Sequence, residues 1–239
     1  MVAVEERVEV SWRTGPLALV SLVALVLGVG LMVALHLVPP TNEISPVRRT
    51  ISEYALGPSK WAFDLSVLLV AAGSALGFVE LIRRRLVRPL SVGVLLGALW
   101  TVSLLVIVAF TKTDWSVGPS LGGMVHRYAS VVGFVALPLA VLVVAKSVYP
   151  NAFVPRLIAK GLGVISLLWF GLILIGVLRM AGGGEPWWQF VPLGLVERMM
   201  ALTAVAAITV VVTGLLRSPA PNERHEKIHG DQQDVPATV

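Results

Sequence analysis

The sequence contains no cysteine. Disulfide scaffolds, thiolate zinc sites, iron–sulfur clusters and cysteine nucleophiles are therefore excluded. Charge is scarce as well. Lys, Arg, Asp and Glu make up 14% of the 239 residues, against roughly 25% in a soluble globular domain. Only four histidines are present, and two of them, His225 and His229, fall in a polar C-terminal stretch. That leaves too few for the multi-histidine haem ligation of a transmembrane cytochrome. What the chain has instead is apolar residues, 56% of the total with a mean hydropathy of +0.84. They come in unbroken blocks of about 20, the length that crosses a hydrocarbon core of about 30 Å.

These blocks predict six spans, approximately 17–38, 61–82, 90–110, 124–145, 157–178 and 191–216. Each ends at a cluster of charge, Pro or Gly. The first is expected to be a permanent span, because its apolar stretch exceeds a signal h-region and Pro39-Pro40 follows in place of a small-residue cleavage site. Orientation follows from the basic residues of the connections. The N-terminal segment, the second and fourth connections and the tail carry twelve Lys and Arg, including Arg83, Arg84, Arg85 and Arg88. The opposite side carries Arg48, Arg49, Lys60, Lys112 and Arg179, and Arg127 at the start of span four would add a sixth. The positive-inside rule then puts both termini in the cytoplasm and segments 39–60, 111–123 and 179–190 outside.

The expected fold class is all-α: a polytopic membrane protein, a bundle of six transmembrane helices with both termini cytoplasmic. Its expected organisation is a cytoplasmic segment 1–15, a transmembrane domain 16–217 and a disordered cytoplasmic tail 218–239, with the cell membrane as its location. The net charge of +5 and pI near 10.0 are explained by the basic flanks of the spans, so no nucleic-acid partner is expected. Membrane lipid is the expected partner. Gly73 and Gly77, and Gly93 and Gly97, sit at the four-residue spacing that permits close helix contact. No internal repeat is visible.

Most of the chain is lipid-compatible, so its ionisable residues within or beside the spans carry the information. Asp64 lies in the first turn of span two, where the positive helix terminus suits an acid. Glu197 and Arg198 lie roughly 10 Å into span six at 1.5 Å per residue. Being about 100° apart on the helix, they are expected to meet different partners, a cation for Glu197 and an anion for Arg198. His126 precedes Arg127 and shares a helical face with Ser130, whose hydroxyl would reach the imidazole. Segment Ile51–Gly57 is either a solvated loop anchored by Tyr54 or a short amphipathic piece folded over the bundle mouth. Glu80 is explained by Arg84 four residues on.

Four stretches resemble a known family. They are Ile51-Ser52-Glu53-Tyr54-Ala55-Leu56-Gly57, Phe110-Thr111-Lys112-Thr113-Asp114-Trp115, Gly122-Gly123-Met124-Val125-His126-Arg127-Tyr128-Ala129-Ser130 and Gly194-Leu195-Val196-Glu197-Arg198. In this order they resemble the six-helix membrane family catalogued as domain of unknown function 998, over roughly residues 15–216. The resemblance implies a six-helix bundle in a bacterial or archaeal cell membrane. It implies no reaction.

The leading functional expectation is binding or handling of a lipid or isoprenoid ligand in a polar site at the outer face. His126, Asp64 and Glu197 are the candidate catalytic residues. Arg198, Arg127, Ser130, Asp114, Ser52, Glu53 and Tyr54 are the candidate ligand-binding residues, with Arg198, Arg127 or Arg48 meeting an anionic head. The sequence leaves the cofactor open, and a metal, if one were bound, would draw on His126, His36 and Asp64. The alternatives are a metal-dependent membrane hydrolase, a proton-coupled transporter in which Glu197 and His126 relay protons, and a non-catalytic scaffold subunit.

Overall fold

A computed structural model describes residues 15–217. The expected segment 1–15, but for Gly15, and the tail 218–239 lie outside the described residues. Six long helices form a multi-pass bundle: α1 (Pro16–Leu37), α2 (Lys60–Arg83), α3 (Val92–Ala109), α4 (Leu121–Val148), α5 (Phe153–Ala181) and α7 (Leu193–Arg217). A single turn, α6 (Trp187–Phe190), precedes α7, and a 3₁₀ helix, Ile51–Leu56, precedes α2. No strand occurs among the described residues.

Local chemistry sets the helix ends. Pro16 opens α1, where its missing N–H costs nothing. Ser120 caps α4 by accepting the Gly123 N–H at 3.1 Å. The triple glycine after α5 is a defined cap. Gly183 takes a left-handed φ of 88°, while the N–H groups of Gly183 and Gly184 bond the Met180 and Arg179 carbonyls. After α2 the same turn is made by Arg85 at φ 55°. α5 starts four residues before its predicted boundary because Pro155, which has no N–H to donate, is tolerated in a first turn.

Small residues set the packing. Between α1 and α2 two serines are used reciprocally: Ser21 donates to the Gly73 carbonyl at 2.6 Å and Ser66 to the Gly28 carbonyl at 2.7 Å. A Cβ on Gly73 would stand 2.9 Å from the Ser21 carbonyl oxygen, and one on Gly77 would stand 2.9 Å from Val212 of α7. Gly93 lies against Val144 of α4, and Gly97 against the Phe78 ring of α2. Both glycine pairs thus sit at helix contacts. α2 and α7 are the most enclosed spans, while α1 and α5 keep most of their surface for lipid. Ile208, Val211, Val212 and Leu215 close the bundle solidly at the end away from the 3₁₀ helix.

Candidate functional site

At the opposite end, the chain between α1 and α2 forms a strap across the start of α7, and one short motif of α7 holds it. Gly194 leaves room for the strap: a Cβ there would overlap the Arg49 carbonyl oxygen and come within 2.7 Å of that of Pro46. The Leu195 N–H donates to the Val47 carbonyl at 3.1 Å. Glu197 Oε2 accepts the Ile51 N–H at 2.9 Å, capping the 3₁₀ helix from 146 residues away in the chain. Arg198 donates to the carbonyls of Pro46 (2.9 Å), Arg49 (2.6 Å) and Gly194 (3.0 Å), to Tyr54 Oη (3.0 Å) and to His36 Nε2 (2.7 Å). A buried backbone group without a partner is costly, and Glu197 satisfies the N–H of buried Ile51, while Arg198 ties the exposed Pro46 and Arg49 carbonyls to α7. Gly194→Ala should therefore lower stability by about 1–3 kcal/mol, the usual cost of overpacking. Thermal unfolding in detergent checks this.

Lys112 pins the strap from the α3–α4 connection, donating to Thr50 Oγ1 at 3.1 Å and pairing with Glu53. Arg49 adds an exposed pair to Glu53 at 3.6 Å. In that same connection Thr113 packs so closely on Gly123 that any Cβ would collide with it. Tyr54 is almost wholly buried, its ring 5.3 Å from that of His36 in an edge-on contact.

Beneath the strap lies a cavity of about 410 Å³, enclosed by α1, α2, α3, α4 and α7. Its walls are mainly apolar, including Phe63, Val67, Leu104 and Ala201, with Trp100 donating its indole N–H to Ser74 at 3.1 Å. Its polar lining residues are His36, Ser52, Ser66, His126, Ser130, Glu197 and Arg198. His126 is 4% exposed, and its Nδ1 faces the carbonyls of Phe110 at 2.7 Å and Ile107 at 3.2 Å. Both partners are acceptors, so Nδ1 carries the proton and Nε2 keeps a lone pair. By the same logic His36 donates from Nδ1 to the Met32 carbonyl at 2.7 Å and receives Arg198 at Nε2.

The cavity has a side window. Val33 of α1 and Leu202 of α7 both line it, yet are 51% and 55% exposed. The His36–Arg198 bond bounds the window on the strap side. On the other side α1, α2 and α7 close around Gly77, with Ser21 and Val212 in contact range of it.

Other sequence candidates lie elsewhere. Asp64 pairs with Lys60 at 2.6 Å and does not line the cavity, and its other oxygen is buried without a hydrogen bond. Asp114 accepts both the Ser116 hydroxyl at 2.6 Å and its N–H at 2.9 Å, bonds that hold its carboxyl below the usual range. Arg127 stacks over Trp115 at 5.5 Å. The Ser130 hydroxyl donates to the His126 carbonyl at 2.9 Å and leaves the imidazole alone. Glu197 and Arg198 meet backbone and neutral side chains where a cation and an anion were expected, because peptide dipoles satisfy a charge without bringing in a second buried one. No group of three His, Asp or Glu is placed to hold a metal among the described residues, so His126, His36 and Asp64 do not form a ligand set. Lys112 and Gly194, which were not among the candidate site residues, prove central to the strap. Both lie within the four ordered motifs.

Fold and cavity define a class: a multi-pass membrane protein whose six helices enclose a strapped apolar cavity near one end. The chain belongs to the family described as Protein of unknown function (DUF998), whose model matches residues 22–214. No curated protein and no solved structure matches it.

Proposed function

We propose that this protein binds a lipid or isoprenoid ligand in the strapped cavity, with the strap on the outer face of the cell membrane. The observation that carries this reading is an apolar cavity, lined at one end by polar atoms, with a window between two membrane-spanning helices. Ligand pockets span about 300–1,000 Å³ with mostly apolar walls and few polar groups. A cavity of about 410 Å³ suits a prenyl or acyl chain segment. The excess of basic residues on the other connections supports the orientation.

Native mass spectrometry of the detergent-purified protein tests the reading. A co-purified amphiphile is expected in the wild type. Ala201→Trp, which directs an indole into the cavity, should reduce its occupancy about tenfold, a loss of about 1.4 kcal/mol. Equal occupancy in the variant, or no amphiphile and no binding of added prenyl lipid, would leave the scaffold reading in its place. Proton-coupled transport has one observation in its favour, the presence of His126 and Glu197 on one cavity. The solid packing around Leu81, Leu137 and Ile208 offers no continuation towards the other end.

A further inference from the structure

The polar atoms at the cavity are unevenly used. Most of its hydrogen-bond donors are engaged: Arg198 gives its Nε–H to His36, its two Nη1 hydrogens to the carbonyls of Pro46, Arg49 and Gly194, and one of its two Nη2 hydrogens to Tyr54, which leaves one Nη2 N–H. The Ser130 hydroxyl is given to the His126 carbonyl, the Ser66 hydroxyl to the Gly28 carbonyl, and Ser52 shares a 3.1 Å hydrogen bond with Thr50. Nearby Lys112 is held by Glu53 and Thr50. Its acceptors are not. His126 Nε2 carries a lone pair with no hydrogen bond among the described residues, and Glu197 Oε1 is in the same position, since only Oε2 is bonded. Both residues line the cavity.

We infer that the ligand carries a head group that donates hydrogen bonds, an alcohol or an amine, and that phosphate and carboxylate heads are disfavoured. The inference rests on the cavity being a ligand site, as proposed above. A hydroxyl or ammonium gives His126 Nε2 and Glu197 Oε1 the partners they lack. An anionic head would bring a second negative charge beside Glu197. Without drawing Arg198 away from the strap it would gain one Nη2 N–H at most, and like charges in contact are a strong device for rejecting a ligand. Arg198, the residue most suggestive of anion binding in the sequence, thus holds the strap and leaves recognition to acceptors.

Three probes with one tail separate the possibilities: farnesol, farnesylamine and farnesyl phosphate, titrated into the purified full-length protein and followed by native mass spectrometry. The alcohol and the amine should bind at least about tenfold more tightly than the phosphate, a difference of about 1.4 kcal/mol or more. In Glu197→Gln the amide oxygen stays with the Ile51 N–H and the cavity-facing atom becomes an uncharged NH2 donor, which an alcohol can accept and an ammonium cannot, so the amine should lose about tenfold relative to the alcohol. Equal or tighter binding of the phosphate by the wild type overturns the head-group inference while leaving the cavity reading intact. Failure of all three to bind overturns both. The wild-type rank order decides the matter even if Glu197→Gln does not fold.

Discussion

Arg198→Ala should lower the thermal unfolding midpoint of the detergent-purified protein by roughly 10 °C. The substitution removes the donor from His36 Nε2, Tyr54 Oη and three carbonyls at once. Each buried group left unsatisfied costs about 1–3 kcal/mol. The Pro46 and Arg49 carbonyls lie in exposed residues and can recover water, whereas Tyr54 is 1% exposed and cannot. A total of about 3–5 kcal/mol follows, and each kcal/mol shifts the midpoint by about 2–4 °C in a domain of this size. The guanidinium also lies 5.7 Å from the Tyr54 ring, and the same change removes this cation–π attraction. Arg198→Lys should fall between, because one ammonium cannot reproduce a planar fork serving opposite sides. Limited trypsin digestion provides a local readout. Release of the strap should speed cleavage after Arg48 and Arg49, and a variant with wild-type midpoint and cleavage would refute the clamp.

Val33→Trp combined with Leu202→Trp should slow ligand exchange by between about twofold and about tenfold while leaving equilibrium affinity within a few-fold. The two residues flank the window between α1 and α7. Indoles there would have to separate for a ligand to pass, and aromatic contacts are worth about 0.5–1.5 kcal/mol each beyond area burial. Every 1.36 kcal/mol added to a barrier is a factor of ten in rate. Pulse–chase exchange of labelled farnesol between protein and detergent micelles measures the rate. Unchanged exchange would place the route elsewhere, beneath the strap, and the Arg198→Ala variant would then exchange faster than wild type. Changed affinity with unchanged rate would mean that the indoles act within the cavity.

Much of the architecture was legible one residue at a time. Span α1 differs by one residue at each end from its hydropathy boundaries, and α3 by two and one. Larger departures occur where a helix continues past the apolar run, as at Phe153 and at Leu121, because a first turn needs a cap or a tolerated proline more than it needs lipid. The glycine pairs were equally legible, since a missing side chain at four-residue spacing has few uses other than close approach. The site was harder to read. Tyr54 was a fair candidate for a headgroup anchor and is instead enclosed beside His36. Asp64 and His126 looked like neighbours because both lie near the same end of the bundle, yet Asp64 is taken by Lys60 on its own helix.

The sequence by itself determined that this chain is a six-span helical membrane protein of its family. Twenty-residue apolar blocks admit no other way of satisfying a backbone in hydrocarbon than the helix. It also marked the four segments that matter, without saying that they meet. The four-residue spacing also paired Glu80 with Arg84, which meet at 2.7 Å, but only the tertiary structure decided the partners of Glu197 and Arg198. Arg198 and Glu197 are adjacent in sequence, yet one gathers the acceptors of the strap and the other caps a helix while keeping an oxygen for the cavity. The reason is that hydropathy and spacing are local along the chain. A hydrogen bond across 146 residues depends on how six helices pack, and on the absence of a Cβ at Gly194 that lets the strap reach α7.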